Sequence, residues 1–346
     1  MNPIIWAIII TSLTTSTIIT MASNHWLLAW LSLELNTLSI LPIMMKHHHP
    51  RATEATTKYF IIQATAAANI LLASTINAWQ TGEWSILHTN STLTTTLTTA
   101  ALMMKLGLAP AHLWYPEVMQ GTDMTTAMLI STWQKIAPLT LLYLMHNTLN
   151  PTLILLMGLI SAATGGWTGL NQTQTRKIMA FSSISHMGWI LSAIIISQNL
   201  ATLTMLLYLT TTTAIFLTLT TTSTKTITDI GTTWTMSPTM LTMTLITLMS
   251  LAGIPPLTGF MPKWLIIKEL STMSLTTLSM ALLIASLPSL YFYTRLAYMT
   301  TLTTPPTTTM GKMKWRFHTK PSTTTPPMIT IACMLLPITS TLCNTT

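Results

Sequence analysis

About eleven apolar windows, each roughly 20 residues long, follow one another along this chain of 346 residues. Each matches a helix that crosses a bilayer core of about 30 Å at about 1.5 Å per residue. The windows fall at residues 4–21, 26–45, 59–79, 93–116, 124–145, 153–170, 178–197, 200–221, 240–263, 274–299 and 328–342. No soluble stretch between them is long enough for a core of its own. The expected fold is therefore an all-α polytopic membrane protein with about 11 transmembrane helices, built as a single transmembrane domain over residues 1–346.

Two windows are irregular. Ala109-Pro110 interrupts the fourth, and Gly253-Ile254-Pro255-Pro256 with Gly259 and Pro262 interrupts the ninth. Proline removes an amide donor and clashes with the preceding turn, so each window is a candidate broken helix, with a harmless kink as the alternative. A break in a bilayer survives where protein or a watery cavity satisfies the freed backbone.

Only 6% of residues are charged, yet Glu34, Lys105, Lys135 and Lys263 lie inside these windows. Each costs roughly 2.5–3.5 kcal/mol at the centre of a lone membrane helix, or about 10–14 kcal/mol for the four. Such groups are expected to face protein or water and to mark an ion or proton path. Glu34 and Lys135 stand on the order of 15 Å from either interface, beyond ordinary snorkelling. Lys105 just precedes the first break, and Lys263 follows the second. The alternative for each is a structural ion pair, or for Lys263 an interfacial anchor. His112 and His186 also lie within windows, and imidazole titrates near neutrality, so both are candidate proton relays between lysines. A merely hydrogen-bonded buried histidine is the competing reading. His47-His48-His49 reads as a solvated loop, because consecutive side chains do not converge on a metal.

The net charge of +8 does not signal nucleic acid, since Lys and Arg never form a long run with interleaved aromatics. Loops after even-numbered windows hold Lys46, Arg51, Arg176, Lys177, Lys225, Lys312, Lys314, Arg316 and Lys320, whereas the other side holds little beyond Glu83, Lys268 and Glu269. The positive-inside rule puts the amino terminus and these basic loops on the matrix or cytoplasmic side. Trp26, Trp79, Trp84, Trp167, Trp234 and Trp264 lie near window ends, where interfacial anchors belong. Threonine supplies roughly a fifth of the chain and Val118 is its one valine, which membrane physics does not require. Codon bias explains it: few codons beginning with G, many rich in A and C. The bias resembles an animal mitochondrial genome, so a mitochondrial inner membrane is expected.

Neither a secretory signal nor an Arg-rich transit peptide is read at the amino end. Two cysteines, Cys333 and Cys343, exclude a four-cysteine cluster, and no dinucleotide fingerprint or phosphate loop occurs. No metal or cofactor is expected on this chain.

The run Lys105-Leu106-Gly107-Leu108-Ala109-Pro110-Ala111-His112-Leu113-Trp114-Tyr115-Pro116-Glu117 resembles the broken-helix signature of the antiporter-like proton-pumping subunits of respiratory complex I and their relatives among multisubunit cation/proton antiporters. Ser182-Ser183-Ile184-Ser185-His186-Met187-Gly188 and Gly253-Ile254-Pro255-Pro256-Leu257-Thr258-Gly259-Phe260 resemble two further segments of that family, and the likeness covers essentially the whole chain. The resemblance implies two inverted five-helix repeats, each with a broken helix, and a central row of charges. Lys105 is then the lysine of the first broken helix with Glu34 as its acidic partner, Lys135 links, and Lys263 ends the row. It also implies that NADH, FMN, iron–sulfur clusters and ubiquinone belong to other subunits. The implied partners are other complex I membrane subunits, including neighbouring antiporter-like ones, accessory subunits, and lipids such as cardiolipin. Relatives carry three further amino-terminal helices, for which this chain has no room. Two rivals stand beside the pump: a stand-alone cation/proton antiporter, and a structural subunit that tolerates neutral residues at all four positions.

Overall fold

The computed structural model describes residues 3–46, 48–89, 91–235, 237–255, 257–302, 308–309, 313, 316 and 324–334. His47, Pro256, Lys312, Lys314, Lys320 and Cys343 lie outside them. The chain divides into two compact units, Met1–Met157 and Gly158–Thr346.

The first unit holds α1 (Pro3–Ala22), α2 (Trp26–Met44), α3 (Pro50–Thr81), α4 (Thr92–Leu106), α5 (Trp114–Gly121), α6 (Met124–Ser131) and α7 (Trp133–Leu144), and α8 (Pro151–Gly169) runs on into the second. Histidines start two of these helices. His25 Nδ1 accepts from the Leu27 amide and His49 Nδ1 from the Arg51 amide, both at 3.2 Å, with Pro50 pre-set for the first turn of α3. Arg51, placed in a loop by the window pattern, is thus helical: α3 begins at Pro50 and carries Arg51, Glu54 and Lys58 in its first turns. Of the six expected anchors, Trp79, Trp167, Trp234 and Trp264 are exposed, whereas Trp26 is buried and Trp84 stacks on His25.

The second unit holds α9 (Thr175–Ile196), α10 (Gln198–Thr222), α11 (Ile227–Gly231), α12 (Pro238–Ala252), α13 (Phe260–Thr272), α14 (Thr276–Thr301) and α15 (Thr325–Met334). The most buried long helix is α9, and it packs backbone to backbone on α8. A Cβ on Gly188 would fall 2.5 Å from the Gly158 carbonyl and 2.6 Å from Ser161 Oγ. Small residues at such crossings let membrane helices approach closely. Gly188→Leu is expected to cost about 1–3 kcal/mol by overpacking, read as a lower melting temperature of the solubilised complex. Arg295, a charge inside the tenth window that the sequence analysis does not single out, donates to the carbonyls of Leu170 and Gln172 at 2.7 Å each and so holds the turn that follows α8.

Apart from the two breaks, every window coincides with helix over most of its described residues. Among the described residues, seven are continuous helices long and apolar enough to cross a membrane: α1, α2, α3, α8, α9, α10 and α14. The others are the two broken windows, the α6–α7 window, and the last, described only as far as Met334. Threonine fits these helices because its hydroxyl donates to a carbonyl one turn back, as Thr218 does to Ile215 at 2.8 Å and Thr98 to Thr95 at 3.0 Å.

Candidate functional site

Both predicted breaks are built alike. Gly107 ends α4 at φ +72°, where the Leu108 amide donates to the Met103 carbonyl at 3.0 Å. Gly253 ends α12 at φ +80°, where the Ile254 amide reaches the Met249 carbonyl at 3.4 Å. A left-handed residue there satisfies carbonyls that the helix leaves free, and glycine adopts it without a Cβ penalty. The negative end of each half-helix also carries an ammonium. Lys105 stands in the last turn of α4 itself. Lys263 arrives from the first turn of α13, folds back over Gly253, and donates to the Ala252 carbonyl at 2.9 Å. A cation at a helix carboxyl end is favoured by the aligned peptide dipoles.

In the first unit, Lys105 and Lys135 line one cavity and are 7% and 3% exposed. Lys105 Nζ donates to the Gln63 carbonyl at 3.4 Å, while Gln63 Nε2 donates to the Lys105 carbonyl at 3.3 Å. Lys135 Nζ lies 4.8 Å from the centre of the Tyr115 ring, a cation–π contact worth about 0.5–2 kcal/mol. The wall of this cavity also carries a chain of neutral polar groups: Tyr59 donates to Gln134 Oε1 at 3.4 Å, and Gln134 Nε2 donates to Asn36 Oδ1 at 3.1 Å. The free space is of the size that holds about one water.

Glu34 stands beside this cavity, within electrostatic reach of Lys105 and Tyr59. No ion pair joins it to Lys105, and its buried Oε2 has no hydrogen-bond partner. His112 is not on the wall; its Nδ1 sits 3.3 Å from the nearby Pro110 carbonyl. His186 stands otherwise. It lines a cavity of the second unit together with Lys263, Tyr208 and Ser250, with the Tyr208 ring at 6.0 Å and the Tyr293 hydroxyl 3.5 Å from Nε2.

Two further features escape the sequence reading. The fifth window is interrupted at Thr132, whose hydroxyl bonds the Met128 carbonyl at 2.6 Å while the Lys135 amide bonds Thr132 one residue short of a regular turn, at 3.3 Å. All three membrane lysines thus sit on interrupted helices. The amides Asn36, Gln63 and Gln134 carry no formal charge, so the charge pattern of the windows does not mark them. An uncharged amide inside an apolar window was the available signal. Among the described residues no three His, Cys, Asp or Glu side chains converge as metal ligands.

A family model described as "NADH:quinone oxidoreductase/Mrp antiporter, TM" matches residues 23–289, and one described as "NADH dehydrogenase subunit 2 C-terminus" matches residues 290–343. The chain belongs to this family. It is 49% identical to the NADH-ubiquinone oxidoreductase chain 2 of Anas acuta over 338 residues, and to that of Carassius auratus over 340, in both cases 98% of each chain. Its fold is similar to a chain of respiratory complex I from Thermus thermophilus with bound Aureothin, with a TM-score of 0.81 at 23% identity over 97% of this chain and 76% of that one. A chain of the Mrp complex from a Dietzia species gives 0.77 at 15% identity, over 98% of this chain and 73% of the other. The antiporter-like membrane fold expected from the motifs is the fold of this family.

Proposed function

We propose that this chain is a proton-translocating membrane subunit of an NADH-ubiquinone oxidoreductase, which couples electron transfer on other subunits to proton movement across the mitochondrial inner membrane. One observation carries it: two buried lysines share a water-sized cavity, Lys105 bonded there to the Gln63 carbonyl in place of a close ion pair and Lys135 lying over the Tyr115 ring. A buried ammonium locked in a close ion pair is costly to neutralise, because its partner is left as an uncompensated charge. A carbonyl still accepts from a neutral amine, so Lys105 can lose and regain its proton without stranding a partner.

In this reading Glu34 modulates. A change of charge or conformation from neighbouring subunits alters the field of Glu34 at Lys105, and the proton passes through water and polar side chains to Lys135. Lys263 with His186 forms the terminal group, and residues 1–346 act as one transmembrane domain. His112, bonded locally, takes at most a side role. NADH, FMN, iron–sulfur clusters and ubiquinone belong to other subunits. Neighbouring antiporter-like chains, accessory subunits and cardiolipin are the proposed contacts. The excess of Lys and Arg in the loops after even-numbered windows supports a matrix-side amino terminus. Lys105→Met in the assembled complex is expected to lower the number of protons pumped per NADH oxidised, measured in sealed vesicles. An unchanged ratio at normal assembly would sink the assignment.

A further inference from the structure

We propose that the half-exposed ion pair Lys58–Glu117 is a positioning clamp for Lys135: it fixes the second half of the first broken helix so that the Tyr115 ring stays beneath the Lys135 ammonium. The inference rests on the reading of Lys135 as a proton-carrying group.

The half-helix concerned, α5, has eight residues and no side-chain cap at its start. A helix that short is not stable by itself, so its position is set by what it touches. Three contacts hold it to α3. Trp114 meets the edge of Tyr59 at 5.8 Å. Gly121 is pressed against α3 so closely that a Cβ there would come 2.6 Å from Ala55 Cβ. Glu117 Oε2 accepts from Lys58 Nζ at 2.7 Å. Only the last depends on charge. Lys58 is shared with Glu54 at 2.9 Å one turn earlier, so the clamp is a small network, which contributes more than an isolated surface pair.

The geometry carries the clamp inward on both helices. Next to Lys58 on α3 is Tyr59, whose hydroxyl donates to Gln134 beside Lys135. Two residues before Glu117 on α5 is Tyr115, and two residues in a helix turn about 200°, so the acid faces outward when the ring faces the cavity. The Tyr115 Cβ also packs against Gly107, where an added Cβ would come within 3.1 Å. Rotation of α5 about its own axis would thus move the ring relative to Lys135, and the Lys58–Glu117 pair on the opposite side of α5 resists that rotation.

The test uses the assembled complex in sealed vesicles, with protons pumped per NADH oxidised as the readout and the amount of assembled complex as the control. Lys58→Met and Glu117→Gln are each expected to lower the ratio by about two- to fivefold, the range that an exposed pair supplies. The charge-swapped double variant, Lys58→Glu with Glu117→Lys, is expected to restore at least half of the loss, which a residue needed only for folding would not do. Normal ratios in both single variants, beside a Lys135→Met control that does not pump, overturn the clamp alone. Normal pumping in that control overturns the relay reading, and the clamp with it. If neither single variant assembles, the swapped variant decides: assembly with pumping supports the clamp, and failure to assemble overturns it.

Discussion

Lys135→Met is expected to assemble in normal amounts and to lose pumping by about 10²-fold or more, the contribution of a well-placed proton-transferring side chain. Assembly should survive because methionine has a similar length and volume, so the packed site is kept without a new cavity. The loss should come from chemistry, since methionine keeps the packing on Tyr115 but carries no proton. Lys135→Arg sharpens the test. Arginine keeps the positive charge and stacks well on an aromatic face, so the contact with Tyr115 persists. It does not release its proton in a protein. If Lys135 is a relay, both variants stop pumping; if it is a fixed structural charge, arginine substitutes and methionine fails. Proton release measured in vesicles after a pulse of NADH separates the two, and an arginine variant that pumps normally removes Lys135 from the path.

That experiment also bears on what the sequence made legible. The helices could be read because lipid demands long apolar stretches, and over the described residues the windows fall on helix except at the breaks. The breaks after Lys105 and near Lys263 could be read because proline and glycine mark them. The interruption at Thr132 carries no such mark: a threonine that bonds the carbonyl one turn back looks like dozens of others in a chain this rich in threonine. The depth of Lys263 was illegible for a different reason, since it depends on the side chain turning back over Gly253 toward Ala252. His112 and His186 looked equivalent as lone imidazoles in apolar windows. Their difference lies in their surroundings, for His112 sits in the irregular stretch between α4 and α5 and bonds within it, whereas His186 is carried by the most buried long helix. Charges could be placed along the chain from the sequence, but the neutral groups that surround them, Gln63, Gln134, Asn36 and Tyr115, are defined by which helix faces meet.

Lys263→Met and His186→Gln are expected to lower pumping each by at least about tenfold, and the double variant is expected to be no worse than the more severe single one. Two groups that act in series on one proton give such a result, because blocking the path twice costs little more than blocking it once. The two side chains line the same cavity of the second unit, with the Tyr208 ring and Ser250 on its wall. Lys263 has a second task that must be separated from the first. Its ammonium caps the carboxyl end of α12 at Ala252, a contact worth about 0.3–2 kcal/mol, so its removal is expected to lower the melting temperature as well as the pumping. His186→Gln leaves that cap in place and keeps a hydrogen-bonding group toward Tyr293, so its effect on pumping should come with little change in melting temperature. Loss of pumping in the histidine variant at unchanged stability is therefore the cleaner sign of a relay. If the effects of the two substitutions multiply, the groups act on separate steps, and the terminal site consists of Lys263 alone.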